Sequence, residues 1–413
     1  MYKVLIKGPV LTRSGYGEQT RFALRALSSY PEKYEVFLEP IPWGKTGWIH
    51  GETEERVWID ALIKKTFAFA KSGGQFDASL QVTIPNEFKK LAPINVGYTA
   101  GMETTKVAPI WLQNCNNMDK ILVVSDHSKD VFENTSYTGK LPDGRPALLK
   151  LDKPVETVHF PVKDLRGTEL KDFDVPTDFN FFAVAQWSPR KNMTAMIKWF
   201  VKEFHDEEVG LIVKTSKTGN SIIDRTGMER EFEVLMRAFP EKKCSVYLLH
   251  GDLEDSELQW LYSHEKIKAV VTTSHGEGFG LPLFEAAYTG VPVIAPYWSG
   301  QCDFLYMPVE KKGKTRLRPM FAKVDYELRP VKPEAVWKDV IMAESMWCYP
   351  HEASFKSRMR EVYKDYGRFA SQAKKLQVYL REEFSATKKA AEFEEEFSTV
   401  FGTEEPESFG VVI

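Results

Sequence analysis

Residues 274–287 read Ser274-His275-Gly276-Glu277-Gly278-Phe279-Gly280-Leu281-Pro282-Leu283-Phe284-Glu285-Ala286-Ala287, directly behind the apolar run Ala269 to Thr273. A strand, a glycine turn and a helix in that order are how an open α/β sheet presents a ligand site. Pro282 suits the first helical turn and Gly290 sits where a C′ glycine ends a helix, so the helix begins near Gly280. Glycines at 276, 278 and 280 let backbone approach a ligand closely. The free N–H groups and positive dipole end of the helix attract a phosphate by roughly 0.3 to 2 kcal/mol. Glu277 and Glu285 are eight residues apart, about 12 Å at the rise of a helix. That exceeds the roughly 5 to 9.5 Å between paired glycosidase carboxylates. The spacing suits carboxylates that accept hydrogen bonds from hydroxyl groups on either side of a bound diphosphate, which is the layout of a nucleotide diphosphate sugar.

The pattern extends over the chain. In the first half, β-rich runs (Lys3 to Lys7, Tyr34 to Leu38, Ala78 to Val82, Ile94 to Tyr98, Ile121 to Val124, Val155 to Phe160) alternate with helical spacing such as Glu52 to Phe69. The densely charged stretch Lys163 to Asp178 interrupts it. The rhythm restarts with Phe181 to Ala185, Gly210 to Lys214, Ser245 to Leu249, Ala269 to Thr273 and Val291 to Ala295. Such alternation implies parallel, doubly wound sheets. The expected architecture is α/β, two Rossmann-like domains facing across a cleft. The expected domains are 1–165, which takes the acceptor, and 166–384, which takes the nucleotide. Residues 385–401 are expected as a helix returning to the first domain, with 402–413 as a tail. From Val331 onward the pattern reads as all helix.

Composition narrows the function. At 413 residues the chain is too long for one ordinary domain. Its 55 basic against 58 acidic residues leave a net charge of −3, which argues against a general polyanion binder. No apolar run approaches the ~18 residues of a membrane helix, and the start reads as a strand rather than a signal peptide. Cys115, Cys244, Cys302 and Cys348 are scattered, without a CxxC pair, which fits reduced thiols in a cytoplasm. The string Asp172-Phe173-Asp174 matches a metal-holding pattern, but it lies in the charged stretch and reads as solvated linker. No metal site is expected.

The segment from Glu277 to Glu285, with Gly-Phe-Gly-Leu-Pro between, resembles the E-x7-E motif of retaining glycosyltransferases of family 4, which have the GT-B fold. The resemblance implies that Glu277 contacts the transferred sugar and that the Gly278, Phe279, Gly280 and Leu281 turn offers backbone N–H groups to sugar and diphosphate. It also implies that Glu285 holds the ribose. The family supplies an Arg early and a Lys late in the loop after the first strand of the second domain. Here that loop reads Gln186-Trp187-Ser188-Pro189-Arg190-Lys191-Asn192. Lys191 matches, Gln186 stands at the early position, and Arg190 is the substitute cation. Fixed cations in a water-poor site stabilise the charge that builds on a departing nucleoside diphosphate.

Other expectations are looser. Ser14-Gly15-Tyr16-Gly17 resembles the family's first-domain glycine loop, so Gly15, Tyr16 and Gly17 are expected against the donor. The family's first-domain His is missing from the loop Thr99 to Thr105, where Glu103 is the candidate to orient or deprotonate the acceptor. His127 in Ser125-Asp126-His127-Ser128 is a capping or cleft-lining residue, and Lys214 at a strand end is a phosphate contact. Lys311 to Arg318 places five cations in eight positions and reads as a loop, either a solvated face or a contact for a phosphorylated or nucleic-acid acceptor.

The reading is a cytoplasmic, metal-independent retaining glycosyltransferase. It needs no cofactor beyond a UDP-, GDP- or ADP-sugar donor, and its partner is a hydroxyl-bearing acceptor: a glycan, a protein or a modified DNA base. The alternatives are a nucleotide-sugar hydrolase or epimerase of the same fold, and a non-catalytic sugar- or nucleic-acid-binding protein.

Overall fold

The computed structural model describes residues 1–402 except 45, 101, 141–143 and 312; the expected tail falls outside them from 403 onward. The first half runs β1 (Tyr2–Gly8), α1 (Gly15–Ser28), β2 (Tyr34–Pro40), α2 (Glu54–Lys71), β3 (Ala78–Val82), β4 (Ile94–Thr99), α3 (Pro109–Cys115), β5 (Lys120–Val123), α4 (Asp126–Asn134), β6 (Ser136–Lys140), β7 (Pro146–Lys150) and β8 (Val155–Thr157). The second runs β9 (Asn180–Val184), α5 (Met193–Phe204), β10 (Gly210–Thr215), α6 (Ile222–Met236), β11 (Ser245–His250), α7 (Asp255–Ser263), β12 (Ile267–Val271), α8 (Leu281–Thr289), β13 (Val293–Pro296) and α9 (Cys302–Leu305). It continues with β14 (Tyr306–Lys311), β15 (Lys314–Pro319), β16 (Ala322–Val324), β17 (Tyr326–Pro330), β18 (Met346–Pro350), α10 (Glu352–Lys364), α11 (Tyr366–Glu383) and α12 (Ala386–Ser398).

Two six-stranded parallel sheets result, in the orders β2-β1-β3-β4-β5-β8 and β11-β10-β9-β12-β13-β16. Parallel sheets are covered on both faces, and the strand residues show it. Phe181 and Phe182 on β9 are both fully buried, on opposite faces: Phe181 against Phe204 of α5, Phe182 against Tyr262 of α7. Each such ring contributes roughly 1.5–3 kcal/mol by leaving water.

The chain crosses between the halves twice. After β8 the linker passes Val162, whose N–H donates to the Phe384 carbonyl at 2.7 Å. At Phe384 the chain leaves α11 and enters α12, started by the Ser385 cap on the Lys388 N–H. Helix α12 packs on the first half. Phe393 sits edge-on to Phe22 and Tyr98, with centroids 5.6 and 5.4 Å away, and Glu394 accepts from Tyr34 Oη and Lys33 Nζ, both at 2.9 Å.

Two expectations need correction. The region after Val331 is not all helix: β17 and β18 form an antiparallel hairpin, and helix starts only at Glu352. Met346-Trp347-Cys348-Tyr349 favours a pleated, half-buried surface, and Pro330 and Pro350 end both strands. The basic run is likewise not a loop. It forms the hairpin β14–β15, turning beside Gly313 with φ +70°.

No helix among the described residues is long and apolar enough to cross a membrane. Because Phe393 is buried between two rings of the first half, Phe393→Ala is expected to destabilise the chain by about 3–5 kcal/mol, read as a shift of the denaturation midpoint.

Candidate active site

Carboxyl ends of β9 and β12 meet the N-terminus of α8 along the seam between the halves. Behind β9, a turn at Pro189–Lys191 closes on Asn192, which holds a left-handed conformation (φ +53°) and separates the turn from α5. The His275 N–H donates to the Arg190 carbonyl at 2.8 Å, fastening this turn to the glycine loop behind β12. Lys191 Nζ thereby reaches both Glu277 oxygens, at 2.6 and 2.8 Å. Arg190 Nη1 lies 3.2 Å from the same carboxylate and donates to the Gly276 carbonyl at 2.5 Å.

The electrostatics follow from this burial. Desolvation alone pushes the Glu277 carboxyl up, but the Lys191 and Arg190 charges outweigh it and hold it down at about 2. Glu277 is an ionised acceptor and not an acid. Burial also works against the Lys191 ammonium; Glu277 supports it, Arg190 repels it, and the net direction is downward. Two half-buried cations thus face two carboxylates, Glu277 and, 3.3 Å from Arg190, Glu103. Arg190 and Lys191 still repel each other, which a further anion would relieve.

Helix α8 supplies the matching donors. Gly280 is its N-cap at φ +98°, a conformation that strains any L side chain. Among the described residues, none accepts a backbone hydrogen bond from the N–H groups of Phe279, Gly280 or Leu281, and Pro282 has none to offer. The Phe279 ring is core, packed on Phe160 of the first half and on Phe284 and Phe304 of the second.

Glu285, one helical turn deeper, occupies a separate cavity lined by Lys163, Asp255, Gln259, Tyr262 and Tyr288. Tyr262 Oη donates to Glu285 at 3.2 Å. Burial raises this carboxyl to about 7 against the opposing pull of Lys163, with Asp255 and Glu18 adding to the rise. Lys163 is 2.8 Å from both Glu18 of α1 and Asp255 of α7, so this second cavity also spans the halves. Lys214 faces the same region: burial lowers it, while Asp252 and Glu285 oppose.

Several glycines serve a purpose different from the expected one. A Cβ on Gly276 would stand 2.2 Å from the Glu103 carbonyl oxygen, and one on Gly278 would stand 2.2 Å from that of Ala100. Those two positions admit backbone of the first half, not a ligand. Gly17 is closed by its own half, where an added Cβ would stand 2.1 Å from the Thr12 carbonyl oxygen, inside the first turn of α1. Gly15 does reach across, its added Cβ 3.9 Å from Leu281. Tyr16 is tied to Thr99 Oγ1 at 2.8 Å and packed on Trp43. Gln186 is exposed and donates to the Lys217 carbonyl at 3.0 Å, outside the cation cluster.

The His127 ring lies edge-on to Trp298 across the seam, its Nε2 buried without a partner, and burial lowers its pKa to about 4. Asp172 and Asp174 are exposed in the linker. Sequence reading missed Lys163, hidden among the linker charges, and Asp303, whose Oδ2 accepts from His159 at 2.9 Å and from the Asp126 N–H at 2.8 Å. It also missed the strap from Val331 to Ser345, which lays Val340 against the Trp111 cluster, while Thr105 and Met346 exchange two 2.9 Å hydrogen bonds.

Residues 226–393 match the family described as Family 4 Glycosyltransferase in conflict systems. The match includes both carboxylates and begins after Lys191. Among solved structures, the chain resembles sucrose-phosphate synthase from Thermosynechococcus elongatus at 12% identity and TM-score 0.62, over 97% of this chain and 99% of that one. A glycosyltransferase from Rickettsia africae gives 11% and 0.59, over 97% and 99%. Anabaena HepE, solved with UDP-glucose, gives 12% and 0.56, over 97% and 100%. The chain spans 58% of the length of Staphylococcus aureus TarM and 82% of its own, at 15% identity and TM-score 0.48. No curated protein matches in sequence. The fold is GT-B: two Rossmann-like halves facing each other, as the sequence suggested.

The Glu285 carboxyl carries a testable pH signature. The folded chain keeps its proton up to about 7, against an ordinary value of 4.5. Between those values the folded state binds more protons, so this group's contribution to stability falls as pH rises. Glu285→Gln is expected to gain a few degrees in Tm over the unsubstituted chain on going from pH 5 to pH 8, checked by thermal denaturation across that range.

Proposed function

We propose that the chain, a family 4-like glycosyltransferase of GT-B fold, moves one sugar from a nucleotide diphosphate donor to an acceptor hydroxyl, retaining the anomeric configuration and using no metal ion. The observation that carries the reading is the buried cluster of Glu277 with Lys191 and Arg190 at the unsatisfied amide end of α8. A diphosphate brings acceptors to the free amide N–H groups and to the two cations, and the sugar beside it supplies hydroxyl donors for an ionised Glu277.

In this reading the donor phosphates lie on the N–H groups of Phe279 to Leu281 and on Lys191. Glu285 and Lys214 line the nucleotide end, where a ribose diol can donate to Glu285. The acceptor arrives from the first half, past Glu103 and His127. Its oxygen bonds to the anomeric carbon as the carbon–phosphate oxygen bond breaks on the same face, and its proton passes to the departing phosphate. The nucleoside diphosphate leaves with the charge that Lys191 and Arg190 stabilise. Glu277 stays ionised and orients the sugar, and Glu103 keeps Arg190 in place.

The Anabaena neighbour was solved with UDP-glucose, which makes a uridine donor the first to try, ahead of GDP- and ADP-sugars. A donor at 100 times its dissociation constant is expected to add about 2.7 kcal/mol of stability. Lys191→Ala is expected to lower turnover by ~10²–10³, the ordinary loss for a transition-state donor. Nucleoside diphosphate release measured with saturating donor and acceptor reads this directly, and near-unchanged turnover would remove the mechanism.

A further inference from the structure

The hairpin β14–β15 presents one strongly charged face that the transfer site does not use. Its register pairs Lys311 with Lys314, Val309 with Arg316 and Met307 with Arg318. Residues directly opposed across two strands share a face, and alternate residues along a strand share it too. Lys311, Lys314, Arg316 and Arg318 therefore stand together, while Glu310, Thr315, Leu317 and Pro308 take the other side. Lys311 and the whole run from Lys314 to Arg318 are exposed. Among the described residues, no acidic side chain pairs with any of the four cations.

We propose that this face docks duplex DNA through its phosphate backbone. Successive cations on β15 are about 6.8 Å apart, two residues of extended strand, close to the direct separation of neighbouring phosphates on one DNA strand, which winds as it rises ~3.4 Å per residue. A two-stranded ribbon also fits the B-form major groove, about 12 Å wide, whereas the major groove of duplex RNA is deep and narrow. Residues 307–318 contain no aromatic side chain on which unpaired bases would stack, which disfavours single strands. Overall charge is −3, so the attraction is local to this ribbon and orients whatever it holds.

The ribbon is rooted beside the sugar site. It follows directly from α9, whose leading residues grip the Glu277 turn: Ser299 Oγ accepts from the Glu277 N–H and the Gly300 N–H donates to the Glu277 carbonyl, both at 3.0 Å. That the duplex carries the acceptor hydroxyl rests on the transferase reading; that the ribbon binds it does not.

The test is fluorescence anisotropy of a labelled 20-base-pair DNA duplex with the full chain at 50 and 200 mM NaCl. Four neutralised phosphates predict a log–log salt slope of about −3.6, or roughly 150-fold weaker binding at the higher salt. The variant K314E/R316E/R318E is expected to bind at least about tenfold more weakly at 50 mM, with a slope near −0.9. Its thermal stabilisation by nucleotide sugar is expected to match that of the unsubstituted chain, which shows that the fold is intact. The proposal is overturned if the two proteins bind the duplex alike or not at all. Equal binding to single-stranded DNA, duplex RNA or anionic vesicles overturns it as well. Absence of nucleotide-sugar stabilisation in both proteins, with the difference in duplex binding between them as expected, would instead count against the transferase reading alone.

Discussion

The Glu277 carboxylate, held by Lys191 and Arg190 away from water, is the interaction on which the arrangement of this molecule depends. Removing Glu277 would leave two cations against Glu103 alone, and a charge left unpaired away from water is costly. The trio comes from two strand-end loops that must therefore stay in register, and the bond from His275 to the Arg190 carbonyl keeps them so. Because Arg190 also reaches Glu103, the same cluster couples the second half of the chain to the first.

The seam is correspondingly tight. Carbonyl oxygens of Ala100 and Glu103 occupy the space that side chains at 278 and 276 would need, and Lys163 links α1 to α7 by ion pairs on both sides. The His159–Asp303–Asp126 contact and the strap around Val340 add two more bridges. Charge pairs dominate near the ligand-facing part, and apolar packing dominates near Trp111. On the transferase reading, a donor that brings its own charge competes with the first kind of contact and leaves the second untouched.

Sequence reading reached the two sheets, the start of α8 and the Lys191–Glu277 neighbourhood, because each is written in local periodicity or in a short motif. It read the region after Val331 wrongly as all helix: a hairpin closed by a fifteen-residue connection from Val331 to Ser345 leaves no short-range turn signal, and its pairing of Leu328 with Cys348 is a tertiary fact. Gln186 was expected at the phosphates by position, yet its amide satisfies a neighbouring loop carbonyl. Gly276 and Gly278 were correctly read as points of close approach, but a sequence does not say whether ligand or protein approaches. Lys163 carried no signal among the charges around it.

Helix α12 has a consequence for biosynthesis. Its ring Phe393 completes a core begun by Phe22 and Tyr98, more than 290 residues earlier for the latter. A ribosome adding ~5–20 residues each second exposes that unfinished surface for tens of seconds or longer before the missing helix emerges. The nascent first half is thus a natural client for a chaperone, and premature termination anywhere before α12 should yield a fragment marked for proteolysis.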